Sequence, residues 1–175
     1  RMLSGHLQGR VLSMLSHKIK PTNILEIGTY TGYAALCMAE GLNAKGKLIT
    51  IDNNEELSIR TKSYFQSSSW ANQIEMHIGN ALDVIPTLKE NWDLVFIDAD
   101  KSNYANYFDL VIDQVNQGGF IIADNVLWSG KVFDTSKNDK DTVAIRAFND
   151  KMHKDSRVQN VLFPIRDGLM ILRKL

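Results

Sequence analysis

Cysteine is almost absent: Cys37 stands alone among 175 residues, so no intramolecular disulfide can form, and a reducing cytoplasm is the simplest compartment. Only three prolines occur, and no apolar run approaches the roughly 20 residues that span a bilayer, which excludes a disordered chain and argues against membrane insertion. Neither charge is in excess. Twenty Lys plus Arg balance 20 Asp plus Glu, so nothing draws the chain toward a polyanion, which argues against a general nucleic-acid binder. Repeats, low-complexity tracts and interdomain linkers are missing as well. At 44% hydrophobic and 23% charged, the composition is that of a globular protein with one core, read here as a single domain over residues 1–175.

Apolar runs of strand length alternate with longer helical stretches, the pattern of a mostly parallel sheet with helices on both faces. The predicted strands are Asn23 to Gly28, Lys47 to Asp52, Ile74 to Gly79, Trp92 to Asp98 and Gly119 to Asp124, all ending in glycine or aspartate. Crossover helices are predicted over Tyr33 to Glu40, Glu55 to Ser69, Leu82 to Lys89 and Tyr104 to Val115, with a further helix from about Thr142 to Lys154 after a polar stretch, Ser129 to Asp141. Two last runs, Val158 to Phe163 and Leu169 to Arg173, flank Pro164, Asp167 and Gly168, which favour a turn and so a closing antiparallel hairpin. Ligands of open parallel sheets bind beyond the carboxyl ends of the strands, so the Gly and Asp residues there are the first place to look for chemistry.

The first strand runs into Glu26-Ile27-Gly28-Thr29-Tyr30-Thr31-Gly32-Tyr33, where glycines let the backbone approach a ligand closely. Twenty residues past Gly32, Asp52 ends the second strand, where a carboxylate can accept hydrogen bonds from both hydroxyls of a ribose. This is the layout of an adenosine-containing cofactor. The G-x-G-x-x-G spacing of a dinucleotide site is missing, and Glu26 would sit poorly beside a pyrophosphate but would tolerate a cationic donor such as S-adenosylmethionine. The plainer alternative is a strand-to-helix turn at Gly28 and Gly32, with Asp52 capping the next helix.

The fourth strand delivers Asp98-Ala99-Asp100-Lys101 and the fifth Asp124-Asn125. If the two strands are neighbours, about 4.8 Å apart, Asp98 and Asp124 reach one cation, and the Asn125 amide completes an all-oxygen set suited to a hard ion such as Mg²⁺. Lys101, three residues on, can serve as a general base, because a nearby cation disfavours its charged form. Otherwise the two aspartates are separate helix caps and Lys101 a solvated charge.

Together these residues resemble the cation-dependent O-methyltransferases, the family of caffeoyl-CoA O-methyltransferase, with catechol O-methyltransferase a more distant cousin. The resemblance rests on LEIGTYTGY at 25–33, FIDADKSNY at 96–104, ADNVLWSG at 123–130 and DGLMIL at 167–172, and it covers nearly the whole chain. It implies a Rossmann-like class I methyltransferase fold with a seven-stranded, mostly parallel sheet. It further implies that Asp98, Asp124 and Asn125 bind a divalent cation, Mg²⁺ before Ca²⁺ or Mn²⁺, and that Lys101 is the base, with Asp98 beside it in the catalytic pair. S-adenosylmethionine would be contacted by Glu26, Gly28, Tyr30, Tyr33, Ala34 and Asp52, with Asp98, Asp100 and Tyr107 near the donor and Asn80 and Ala81 flanking its adenine. Many relatives carry serine where Ala34 stands, which removes a hydrogen bond to the donor's carboxylate. Met2 and Ser4 resemble a substrate-contacting segment, and Trp128 could stack on an aromatic acceptor of catechol type or simply cover the core. A homodimer is expected from the same resemblance. Members also carry helical sequence upstream, so part of the substrate wall or dimer contact is expected to lie outside these residues. An NAD-dependent oxidoreductase and a non-catalytic cofactor-binding module are the competing functions. Cys37, Trp70 and Trp92 are read as packing residues, and His6, His17, His77 and His153 show no metal-ligand spacing.

Overall fold

The computed structural model describes residues 5–175. Strands β1 (Asn23–Ile27), β2 (Lys47–Asp52), β3 (Ile74–Ile78), β4 (Trp92–Ile97), β5 (Val115–Asp124), β6 (Val158–Phe163) and β7 (Leu169–Lys174) form one sheet in the order β3-β2-β1-β4-β5-β7-β6. Pairing is parallel from β3 through β5, and β7 runs antiparallel to both β5 and β6, so the predicted closing hairpin is present. Strand order reverses between β1 and β4, and this opens a crevice at their carboxyl ends.

Side chains alternate across each strand and divide the core into two layers. Leu25, Ile27, Val95 and Ile97 face α5 (Tyr104–Val111) and α6 (Lys140–Lys154), while Ile24, Leu48, Leu94 and Phe96 meet α1 (Gly5–Ile19), α2 (Tyr33–Ala39) and α3 (Glu55–Gln66). Fully burying such side chains contributes roughly 1.5–3 kcal/mol each, and the two layers together fix the sheet edge where the strands end.

Several boundaries move for local reasons. Helix α3 stops at Gln66 because Ser67 and Ser68 turn their hydroxyls back onto the carbonyls of Ser63 and Phe65. Pro86 has no N–H to donate, so α4 is only Ala81–Val84 followed by a tighter turn, Ile85–Thr87. Helix α5 ends at Val111, because β5 begins at Val115 and pairs with Trp92 before a shift of register carries it past Gly118 and Gly119. The largest omission is α1. Leu12, Leu15 and Ile19 repeat at helical spacing and pack on the core, but they share the buried side with Gln8, Gly9, Ser13 and Ser16, which dilutes the apolar signal.

Among the described residues no helix is long and apolar enough to cross a membrane. Cys37 is buried and free, and Trp92 is fully buried, as expected of packing residues.

Candidate active site

A cavity of about 650 Å³ opens at the carboxyl ends of β1, β2, β4 and β5, within the size range of small-molecule sites. Gly28, Tyr30, Tyr33, Ala34 and Asp52 line one end, and Asn80 and Ala81 lie on the wall after β3. Asp98, Asp100, Lys101 and Tyr107 come from the β4 side, and Asp124, Asn125 and Trp128 from β5 and the loop after it. Met2 and Ser4 lie outside the described residues.

The turn after β1 is built on close backbone approach. A Cβ on Gly28, whose φ is +99°, would stand 2.1 Å from the Asp98 carbonyl oxygen, and one on Gly32 would meet the Phe65 ring at 2.5 Å. The glycines therefore let β1 sit against β4 and α2 against α3, in addition to any approach to a ligand. Asp52 fastens the same turn: Oδ2 accepts from the backbone N–H groups of Thr29 and Tyr30 at 2.9 and 2.7 Å, and Oδ1 accepts from Asn54 N–H at 2.8 Å. The helix cap after β2 is Asn54, not Asp52. Oδ2 is filled by its two donors, and Oδ1 keeps one lone pair for a further donor.

Glu26 is where the structure departs from expectation. Its side chain is 0% exposed and lies beneath the cavity wall, because strand alternation sends it to the Ile24 side of the sheet, opposite Thr50 and Phe96. Oε2 accepts from Thr50 Oγ1 at 2.5 Å, and among the described residues Oε1 has no hydrogen-bond partner. Burial, reinforced by the Asp98 and Asp52 charges, raises this carboxyl to about 8, so it is protonated at neutral pH. Discrimination against pyrophosphate cannot rest on a Glu26 charge in the free protein.

Strands β4 and β5 are neighbours with Ile97 opposite Ala123, so Asp98 and Asp124 leave the sheet side by side. Lys101 Nζ donates to Asp98 Oδ1 at 3.1 Å and to Tyr104 Oη at 2.5 Å. Tyr104 Oη in turn donates to the Asp124 carbonyl at 2.9 Å. Asp124, 3% exposed, is raised above the usual carboxylate range by burial and by the charge of Asp98. Asn125 follows in a left-handed conformation, φ +60°, that turns the chain sharply at the strand end.

Among the described residues no group of three or more His, Cys, Asp or Glu side chains could hold a metal ion. The oxygen set here is two carboxylates and one amide. That fits a hard cation which takes one or two carboxylates and fills its remaining positions with water or substrate oxygens.

Asp100 is held on both oxygens, by the Tyr107 hydroxyl at 2.5 Å and the Asn103 amide at 2.6 Å, so Tyr107 positions Asp100 as well as lining the wall. At the opposite rim, Trp128 and Ser129 both have positive φ, +49° and +54°. Strain of this kind persists only where surrounding structure imposes it. Here the Trp128 N–H donates to the Asn125 carbonyl at 3.0 Å and the Ser129 N–H to Asp167 Oδ1 at 2.5 Å, while Arg146 of α6 braces the residues that follow, donating to the carbonyls of Lys131, Val132 and Asp134 at 2.9, 3.0 and 2.5 Å. Trp128 lies between two ammonium groups, with Lys101 Nζ 5.8 Å and Lys131 Nζ 5.7 Å from its ring centroid. Its Nε1–H is buried and, among the described residues, has no hydrogen-bond partner.

The sequence assigns no site role to Gln8, Tyr104, Ser129 or Asp167, although Tyr104, Ser129 and Asp167 lie within the motifs at 96–104, 123–130 and 167–172 and Gln8 lies four residues past Ser4. Asp167 accepts from the Ser129 N–H at 2.5 Å and ties the β6–β7 turn to the cavity rim.

The O-methyltransferase family profile matches residues 1–175. A probable caffeoyl-CoA O-methyltransferase of Dictyostelium discoideum is 32% identical over 180 residues, covering 99% of this chain and 78% of its own. A catechol O-methyltransferase of Niastella koreensis is 34% identical over 146 residues, covering 81% and 66%. The O-methyltransferase TomG of Streptomyces achromogenes, solved in complex with SAM, superposes with a TM-score of 0.93 at 27% identity, covering 99% of this chain and 82% of its own. The oxidoreductase alternative is thereby set aside: with its strand order, its crevice at the strand ends and this full-length match, the chain belongs to the O-methyltransferase family.

Proposed function

We propose that this chain, as one domain, transfers the methyl group of S-adenosylmethionine to a hydroxyl of a catechol-type small molecule in a divalent-cation-dependent reaction. The observation that carries the reading is the pairing of Asp98 and Asp124 at adjacent strand ends, with Lys101 bonded to Asp98, inside the cavity that also exposes Asp52 and the Gly28 turn. SAM in the structural neighbour TomG and the caffeoyl-CoA and catechol names of the curated relatives agree with it.

A sulfonium donor supplies an activated methyl group, and a dication lowers the pKa of an acceptor hydroxyl and orients it. The chain's own residues do the rest. Asp98, Asp124 and the Asn125 amide hold the cation, with Mg²⁺ the best match to two carboxylates. Asp52 accepts the ribose hydroxyls, Asn80 and Ala81 flank the adenine, and the Tyr30–Ala34 turn, Asp100 and Tyr107 enclose the donor. Lys101 receives the acceptor's proton. Its Nζ lies 3.1 Å from Asp98 Oδ1, at the end of the cavity where the acceptor hydroxyl would sit. Trp128 forms an aromatic wall on the acceptor side, while the rigid frame of α2, β4 and β5 keeps the reacting groups in line. A cytoplasmic homodimer agrees with the single buried cysteine and with exposed Val161 and Leu162 on the edge strand β6.

Replacement of Asp124 by Ala tests the reading. Metal-dependent turnover should disappear while calorimetric binding of S-adenosylmethionine persists; full turnover in this variant would sink the metal assignment.

A further inference from the structure

Helix α1 reaches the proposed metal site through one side chain. Gln8 is 1% exposed, and its Nε2 donates to Asp124 Oδ2 at 2.6 Å across 116 residues of sequence. The other oxygen, Oδ1, accepts the Asn125 backbone N–H at 2.6 Å. Lys101, the ammonium at this end of the cavity, is bonded to Asp98 and Tyr104. Asp124 is thus oriented by two neutral donors, one per oxygen, and each oxygen keeps a lone pair. A neutral amide fixes the direction of a carboxylate without cancelling its charge, which a lysine or arginine here would do.

The amide is also held rigidly. Arg10 forks onto Glu40 at 3.0 and 2.7 Å, Ser13 Oγ donates to Glu40 at 2.6 Å, and Ser16 Oγ donates to the Met38 carbonyl at 2.6 Å. A Cβ on Gly9 would strike Tyr33 at 2.6 Å, so the two helices touch backbone to side chain at that point. Helix α1 is clamped to α2, the helix that opens beside the cavity, and Gln8 is carried to Asp124 as part of that rigid pair.

We propose that Gln8 is a positioning residue for the metal site: its amide presets Asp124 to receive a divalent cation. The proposal rests on the reading of Asp98, Asp124 and Asn125 as cation ligands, and it deepens that reading. Outer hydrogen-bond partners of metal ligands contribute about 10- to 100-fold to affinity, and Gln8 belongs in that range.

Mn²⁺ binding to the whole protein, followed by the loss of the free-ion paramagnetic resonance signal without any acceptor, is the test. Gln8→Leu should weaken Mn²⁺ by about 10- to 100-fold while calorimetric affinity for S-adenosylmethionine is unchanged. Gln8→Asn retracts the donor by one methylene but keeps the polarity, and it should weaken Mn²⁺ in the same direction if Gln8→Leu does not fold. Wild-type Mn²⁺ affinity in a folded Gln8 variant, alongside its loss in Asp124→Asn, overturns the role of Gln8 and leaves the metal site standing. If the wild-type protein itself binds no Mn²⁺, both readings fall together.

Discussion

The Tyr104 hydroxyl accepts a hydrogen bond from Lys101 Nζ at 2.5 Å and gives its own proton to the Asp124 carbonyl at 2.9 Å. One buried phenol therefore joins the proposed base on the β4 side to the end of β5. Burial, with the charges of Asp98 and Asp124, pushes this phenol well above its ordinary value, so it stays protonated and its direction of donation is fixed. The ammonium also sits 4.6 Å from the Tyr104 ring centroid.

Tyr104→Phe removes the acceptor that steers Lys101 and keeps the ring. A hydrogen bond to a charged group contributes about 1.5–3 kcal/mol, so kcat should fall by about 10- to 100-fold with the KM for S-adenosylmethionine unchanged. Steady-state kinetics with both substrates varied would check this, and an unaltered kcat would remove Tyr104 from the site.

Gly28→Ala introduces a Cβ 2.1 Å from the Asp98 carbonyl at a residue with φ +99°. Strain and displacement should cost about 2–4 kcal/mol in urea unfolding and weaken donor binding. A loss below about 1 kcal/mol would show that β1 and β4 can separate at little cost.

Glu26 gives the metal-free protein a pH dependence of known sign. Its native pKa of about 8 lies above the ordinary 4.5, so between these values the unfolded chain has released a proton that the native protein retains. Stability should fall as pH rises through that window and level off above it, by at most on the order of 5 kcal/mol. Glu26→Gln, which imitates the protonated carboxyl, should flatten the decline. Denaturation curves at pH 5 and pH 8 measure it, and an equal decline in the variant would place its origin elsewhere.

Strand and turn chemistry made the sheet and most of the cavity legible. Gly28, Asp52, Asp98 and Asp124 all end strands, and strand ends are where an open parallel sheet puts its ligands. Helix α1 was legible only in part: Leu12, Leu15 and Ile19 repeat at helical spacing, but Gln8 and Ser16 on its buried side look solvent-facing until Asp124 and Met38 supply their partners. The burial and protonation of Glu26 were hidden for a different reason. Its place next to the turn was readable, but which face of β1 it takes depends on alternation carried through to the final residue, and its protonation depends on burial that only the packed sheet creates. Asp167 lies far along the chain from Ser129, and long-range pinning of that kind leaves no local trace.

The most direct test is mass-spectrometric detection of methylated product after incubation with S-adenosylmethionine and a panel of catechols and monophenols, with Mg²⁺ or with EDTA. Methylated catechols that form with Mg²⁺ and vanish with EDTA are the predicted result. Catechol methylation that persists undiminished in EDTA would contradict the assignment of Asp98, Asp124 and Asn125 to a catalytic cation.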